Sequence, residues 1–125
     1  GALNFENGNK LVARFSNIGK INVDVFAPGV KIYATTPKNT YSFLQGTSMA
    51  APNVAGVAAL IRSYYPKLTA KQVKHILMDS GVAIESEVIV GGKPADTRPF
   101  SALSKSGKIV NAYNALQMAE KMSKK

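Results

Sequence analysis

The segment from Leu44 to Ile61, with the sequence LQGTSMAAPNVAGVAALI, constrains the fold more than any other. Its small and apolar residues predict a helix from about Ser48 to Tyr65, which Pro66 ends because proline cannot continue a helix. Pro52 falls near the first turn, where a missing N–H costs little. Since few polar side chains occur on any side, the helix is expected to be buried all round, with neighbouring backbone packed closely against it.

Short strands are predicted on both sides of this helix. Four segments have the apolar content or alternation of strands: Leu11–Ser16, Asn22–Ala27, Lys31–Thr36 and Ser86–Val90. Turn residues at Pro37–Asn39 allow Thr40–Gln45 to return as the second arm of a hairpin. The segment Gly91–Gly107 is rich in Gly, Pro and Ser, so we expect a long loop there.

Two further helices follow in the sequence. Thr69 and Gln72 have the spacing of a capping box, in which each side chain satisfies a free backbone N–H at the start of a helix. Gly81 is a plausible end for that helix. Apolar contacts spaced along Val110–Met122 predict the last helix.

Composition excludes several classes of protein and site. A chain of 125 residues is one domain or a piece of a larger one. The absence of cysteine excludes disulfides and thiolate metal sites. No apolar run reaches the ~20 residues of a membrane helix. The formal charge is +9, but the lysines are scattered from Lys10 to Lys125 without a recognition motif, so no nucleic-acid binding is expected.

Ser48, at the start of the predicted helix, has two interpretations. It is either an N-cap, whose oxygen accepts from an early backbone N–H, or a nucleophile whose oxyanion would meet free N–H groups and the helix dipole. Serine caps are the commoner case. The spacing is not that of the α/β-hydrolase nucleophile turn, which needs glycine two residues after the serine where this chain has Ala50.

The sequence GTSMAAPNVAGVAAL resembles the nucleophile segment of the subtilisin-like serine proteases, the subtilases. Four other segments resemble parts of the same family in the same order: Phe15–Gly19, Val23–Ile32, Tyr65–Leu77 and Gly107–Leu116. The resemblance implies an α/β fold, part of a subtilisin-like architecture with a mostly parallel sheet, a buried nucleophile helix and a β-hairpin.

The resemblance also implies roles for individual residues. Ser48 would be the acyl-forming nucleophile of a peptide-bond hydrolase, and its own N–H one oxyanion donor. Thr47 would support the oxyanion site, and Met49 would line the site as an oxidation-prone residue. Ala51 and Asn53 replace a serine and a histidine that are common in the family, so we expect altered packing or hydrogen bonding there.

A serine nucleophile needs a general base and a carboxylate that orients it. No histidine precedes Ser48, and Glu6 and Asp24, the acidic residues before it, do not lie in segments that resemble the family's aspartate or histidine motifs. Asp24 is expected to be a surface or turn-bonding carboxylate. The single histidine, His75, is expected on a helix surface and not as the base. No cofactor and no metal site are predicted, although a structural calcium in a longer parent is compatible with the family.

We therefore expect residues 1–125 to be the C-terminal portion of a subtilase catalytic domain, without the segments that carry the Asp, the His and the oxyanion Asn. The predicted function is that of a serine endopeptidase within a larger parent, inactive as an isolated piece. The alternative is a non-catalytic interaction module or pseudoprotease remnant. The expected partner is a protein or peptide substrate. The isolated chain is expected to self-associate through surface that the missing strands would cover. The family implies a secreted or cell-envelope location.

Overall fold

The computed structural model describes residues 1–4 and 8–124. This part of the chain folds into three α-helices and four two-stranded sheets, which confirms the predicted α/β class. The strands are β1 (Ala2–Leu3), β2 (Ala27–Pro28), β3 (Ile32–Thr36), β4 (Thr40–Leu44), β5 (Val82–Ala83), β6 (Glu87–Val90), β7 (Lys93–Pro99) and β8 (Lys108–Ile109). The helices are α1 (Thr47–Tyr64), α2 (Ala70–Asp79) and α3 (Ala112–Ser123).

Parallel pairing is confined to a small part of the described residues. β1 and β2 pair in parallel, with Ala2 opposite Ala27, and Phe26 forms a parallel bridge to Ile109. The pairs β3–β4, β5–β8 and β6–β7 are antiparallel. The described residues therefore contain one parallel pair of the mostly parallel sheet that the resemblance implies for a complete domain.

The predicted hairpin is confirmed by β3 and β4. Thr36 pairs with Thr40 across the turn, where Lys38 and Asn39 adopt φ values of 64° and 59°. Positive φ at neighbouring residues lets a tight turn follow the right-handed twist of its strands. The hairpin ends at Leu44, so its second arm leads directly into α1.

An exposed aromatic cluster covers one face of this hairpin. Tyr33 lies opposite Phe43 in the ladder, with ring centroids 5.0 Å apart. Tyr33 also stacks on Tyr41 at 5.7 Å. All three side chains are largely exposed.

The first two predicted strands are mostly wrong. Within Leu11–Ser16 only Val12 pairs, through a single bridge to Leu3, and a turn follows at residues 14–15. From Asn22–Ala27 only Ala27 enters a strand. Val12, Ala13 and Val23 are buried, but Val12 and Ala13 are neighbours and Val25 is half-buried, so burial does not alternate in these segments. A segment can bury apolar side chains without a strand partner along its length.

The predicted loop at Gly91–Gly107 is also wrong in its first half. Strand β7 pairs with β6 as the second arm of a hairpin, and a short 3₁₀ turn at Phe100–Ala102 follows. The polar and proline-containing sequence fits this position because β7 is an exposed edge strand, where proline is tolerated. Phe100 is fully buried and packs on Phe26, with ring centroids 5.1 Å apart.

Helix α2 begins and ends as predicted. The Thr69 N–H donates to Gln72 Oε1 at 2.8 Å, and the Gln72 N–H donates to Thr69 Oγ1 at 3.2 Å, which confirms the capping box. After α2 the chain passes Gly81, where an added Cβ would lie 2.5 Å from the Ile109 carbonyl oxygen. Glycine therefore allows β8 to approach the end of the helix. α3 begins after Asn111, whose side-chain oxygen accepts from the Asn114 N–H.

Helix α1 is formed as predicted, but it is not buried all round in this chain. Only Ala50 and Ile61 are buried among its residues. Its exposed residues are Ser48, Ala51, Pro52, Asn53, Ala55, Gly56, Ala59, Leu60, Arg62, Ser63 and Tyr64. Most of this exposed set is small or apolar, because the described residues pack on one side of the helix only.

Candidate active site

Ser48 is the second residue of α1 and its side chain is exposed, while Thr47 and Met49 beside it are half-buried. The N-cap is Gly46, with φ 143° and ψ 161° and no side-chain capping bond, so the interpretation of Ser48 as an N-cap is wrong. Within the described residues, no protein group forms a hydrogen bond with Ser48 Oγ. The hydroxyl is therefore open to an incoming group.

Free backbone N–H groups lie beside this hydroxyl. The Gly46 N–H donates to the Gly29 carbonyl at 2.8 Å, and the Met49 N–H donates to the Gly46 carbonyl at 2.9 Å. The N–H groups of Thr47 and Ser48 have no acceptor in the described part of the chain. At the positive end of an 18-residue helix, such groups favour negative charge. Oxygen that develops negative charge next to Ser48 would find donors there.

Gly46 and Gly29 hold this turn in a conformation that other residues would disturb. The φ of 143° at Gly46 is strained for any residue with a side chain, and an added Cβ would lie 3.3 Å from Ser48 Oγ. At Gly29 an added Cβ would lie 2.8 Å from the Gly46 carbonyl oxygen and 2.7 Å from Ala2 Cβ. The start of α1 therefore packs backbone against backbone on the end of β2.

Asn53 adds a side-chain link at the same place. Its Nδ2 donates to the Pro28 carbonyl at 2.9 Å and to the Met49 carbonyl at 3.3 Å. The side chain at this position thus bonds α1 to the end of β2. Pro52 is the sixth residue of α1, beyond the first turn, so its missing N–H leaves the Ser48 carbonyl without the usual intrahelical donor.

Asp24 lies in a groove that Thr47 and Ala51 also line. Its carboxylate faces Lys74 Nζ at 3.4 Å, and its carbonyl accepts from the Ser106 N–H. An ammonium group at this distance fits an ion pair and not a bound cation.

His75 is not brought to Ser48. Its Nε2 lies 2.7 Å from Asp79 Oδ2, one helical turn away on the exposed side of α2. The surface depressions that His75 lines include neither Ser48 nor Thr47. Glu6, the other acidic residue before Ser48, lies outside the described residues. In the part of the chain that the structure describes, no group of three or more His, Asp or Glu residues could hold a metal ion.

Sequence reasoning missed the role of Gly29. In the sequence, the Ala-Pro-Gly segment at 27–29 indicates only the end of a strand. The structure shows that Gly29 gives close approach between β2 and the turn before Ser48. Both glycines, Gly29 and Gly46, are visible in the sequence, but they are 17 positions apart, so the sequence does not indicate that they are in contact.

Over residues 1–4 and 8–124, no helix combines the length and apolar character needed to cross a membrane.

Comparisons with known proteins agree with this geometry. The model of the subtilase family of peptidases matches residues 3–113. Subtilisin DY of Bacillus licheniformis is 48% identical over 83 residues, which are 66% of this chain and 30% of that protein. Subtilisin-like protease 1 of Plasmodium falciparum (isolate 3D7) is 55% identical over 60 residues, 48% of this chain and 9% of that protein. The chain thus matches less than a third of the length of these relatives.

Solved structures show the same fold. A chain from the structure of the subtilase cytotoxin SubAB assembly has a TM-score of 0.69 and 27% identity, and the match covers 94% of this chain and 32% of that chain. The A-subunit of an AB5 toxin from E. coli has a TM-score of 0.65 and 28% identity, over 82% of this chain and 29% of that one. With the family model matching nearly the whole length, the chain belongs to the subtilase family of serine proteases.

Proposed function

We propose that Ser48 is the nucleophile of a serine endopeptidase and that this chain is the C-terminal portion of its catalytic domain. One observation carries the proposal: the Ser48 hydroxyl is exposed at the start of α1, next to the N–H groups of Thr47 and Ser48, which have no acceptor in the described residues. The match to the subtilase family over residues 3–113 supports it.

The chemistry follows from this placement. Ser48 Oγ would attack the carbonyl carbon of a peptide bond, and its proton would pass to a general base. The carbonyl oxygen would gain negative charge and accept a hydrogen bond from the Ser48 N–H, and Thr47 beside it would support the oxyanion site. Loss of the amine would leave an acyl group on Ser48, which water then releases. Met49 would form part of the wall of the site.

The general base is the part that the described residues do not supply. His75 and its partner Asp79 lie on the exposed side of α2 and line no depression that includes Ser48, and Asp24 faces Lys74. Loss of the base in a serine-protease triad lowers kcat by about 10⁶-fold. We therefore infer that the 125-residue chain is inactive by itself and gains a base, its orienting aspartate and an oxyanion asparagine from sequence outside it.

A fluorophosphonate probe, which phosphonylates activated serines, tests both statements. We expect labelling at Ser48 in the intact gene product that contains this chain, and no labelling in the 125-residue chain. Ser48→Ala should abolish labelling, while Ser63→Ala near the other end of α1 should leave it unchanged. Strong labelling of the isolated chain would overturn the inference that activation comes from outside.

A non-catalytic interaction module is the second candidate. The absence of a base near Ser48 in the described residues favours it. The same probe separates the two, because an intact gene product that is correctly folded and remains unlabelled would be a module. Sequence upstream of Gly1 that lacks an aspartate and a histidine in subtilase-like context would support that outcome.

The partners follow from the proposed reaction and from the exposed side of α1. The substrate would be a protein or peptide, and no contact with nucleic acid is proposed. The groove lined by Val54, Ala55 and Ala58 exposes apolar surface that favours association with another chain. We expect the isolated chain to self-associate, so light scattering that shows a monomer at high concentration would contradict this. A secreted or cell-envelope location is proposed from the family, and fractionation of the source cells tests it.

A further inference from the structure

Three of the contacts that join the end of β2 to the first two turns of α1 involve Pro28 or Gly29. The Gly46 N–H donates to the Gly29 carbonyl at 2.8 Å. Gly29 packs against the Gly46 carbonyl oxygen and Ala50 Cβ, so closely that an added Cβ would lie 2.8 Å and 3.3 Å from them. Asn53 Nδ2 donates to the Pro28 carbonyl at 2.9 Å. The first two contacts lie before and within the first turn, and only the third is a side-chain hydrogen bond.

The hydrogen bonds of Asn53 are made close to Ser48. Asn53 lies five residues after Ser48 and also donates to the carbonyl of Met49, the residue next to Ser48. Pro52 removes one intrahelical hydrogen bond in this same turn, the one to the Ser48 carbonyl. The turn that carries Ser48 is therefore short of one backbone bond and is held to β2 by the Asn53 amide.

We propose that Asn53 is a positioning residue for Ser48, whose amide fixes the first turns of α1 against the Pro28 carbonyl and thereby sets where Ser48 Oγ lies. The role in catalysis rests on the proposed function of Ser48, whereas the role in holding the turn does not. Asn53 touches neither substrate nor the reacting atoms. It acts on the nucleophile, so its loss affects the chemical step more than substrate binding.

The amide is needed as a donor. Both of its described bonds run from Nδ2 to carbonyl oxygens. An aspartate has nearly the same shape but only accepts when ionised, so it would face the Pro28 carbonyl with lone pairs. A histidine, by contrast, would keep a ring N–H that can donate.

The experiment uses the intact gene product and measures kcat and KM on a peptide substrate. Asn53→Ala should lower kcat by about threefold to tenfold with KM nearly unchanged, the size of effect that one hydrogen bond has. Asn53→Asp should lower kcat at least as much at neutral pH, and Asn53→His should restore most of it. Ser63→Ala, also exposed on α1, is the matched control and should leave kcat unchanged.

Hydrogen exchange, followed by mass spectrometry, measures how firmly the turn at the start of α1 is held, independently of catalytic activity. We expect faster exchange of the Gly46 and Met49 amides in Asn53→Ala and Asn53→Asp, and not in Ser63→Ala. Unchanged kcat or unchanged exchange in both variants would overturn the proposal, as would failure of Asn53→His to restore kcat. If Asn53→Ala does not fold, the nearly isosteric Asn53→Asp decides alone. If Ser48 of the unmodified protein is not labelled by the fluorophosphonate, the proposed function fails while the exchange measurement still tests the turn.

Discussion

Helices α1 and α2 are neighbours in the chain but obtain their stability in different ways. α2 has 10 residues, a complete capping box and a buried stripe of Val73, Ile76 and Leu77, with polar residues on its other side. α1 has 18 residues, a glycine N-cap without a side-chain bond and only two buried residues, Ala50 and Ile61. The apolar stripe of α2 is covered by other residues of this chain. On α1, by contrast, much of the apolar surface is left uncovered by the described residues.

This difference shows what the two sequences encode. An amphipathic helix such as α2 needs one apolar partner, and the contacts with α1 and α3 supply it. A helix with small and apolar residues on all sides needs partners on all sides. The described residues cover only one side of α1, and at its N-terminus Ser48 is exposed beside N–H groups that have no acceptor in this part of the chain. The following substitutions test the contrast, beginning with the largest expected effect.

A substitution in the buried stripe of α2 should lower the free energy of unfolding much more than a substitution on the exposed side of α1. Ile76→Ala removes a fully buried side chain and should lower the free energy of unfolding of the 125-residue chain by about 2–5 kcal/mol. Ala59→Ser, at an exposed position of α1, should change it by less than about 1 kcal/mol. Denaturant unfolding measures both. If both substitutions lowered the free energy of unfolding equally, the exposed side of α1 would have to be covered in solution, for instance by a second copy of the chain.

The start of α1 should be sensitive where its exposed middle is not. Gly29→Ala forces a Cβ to 2.8 Å from the Gly46 carbonyl oxygen, which is backbone and cannot rotate away. We expect a loss of about 1–3 kcal/mol in the free energy of unfolding, as in other overpacked sites. In the intact protein, fluorophosphonate labelling of Ser48 should also slow. Unchanged thermal unfolding together with unchanged labelling would show that β2 does not hold the turn.

Gly56→Ala should have the smallest effect, and of opposite sign. An added Cβ at Gly56 meets nothing within 4 Å, and alanine is the better helix former. The isolated chain should gain about 0.5–1 kcal/mol, measured by thermal unfolding. In the intact protein the same substitution should be destabilising if another segment packs closely on this side of α1. An equal gain in stability in the isolated chain and in the intact protein would indicate that this side of α1 stays uncovered in both.

Local signals in the sequence predicted the elements that depend on nearby residues. The capping box of α2, the turn between β3 and β4 and the extent of α1 all result from contacts within a few positions. Strand β7 was missed because its pairing with β6 depends on edge position, which its polar sequence did not reveal. The exposure of α1 was also missed, since a helical pattern indicates a need for partners and not whether this chain supplies them.

The candidate site divides in the same way. The position of Ser48 at the start of a helix was predictable from its own segment, and the match of residues 3–113 to the subtilases agrees with the resemblance given by that segment. The approach of Gly29 to Gly46 was not predictable, because it joins residues 17 positions apart through backbone alone. The bond from Asn53 to the Pro28 carbonyl was not predictable either, because it joins residues 25 positions apart.

The aromatic cluster on the β3–β4 hairpin gives the molecule its own optical reporters. The chain has no tryptophan and five tyrosines, so tyrosine dominates its ultraviolet emission. Tyr33 and Tyr41 lie on the hairpin that enters α1, and Tyr64 and Tyr65 lie where α1 ends. Tyr64 lies on α1 itself and is 67% exposed, so a second chain that packs along α1 would change its contact with water and therefore its emission. Assembly at this helix can therefore be followed in solution without attaching a dye.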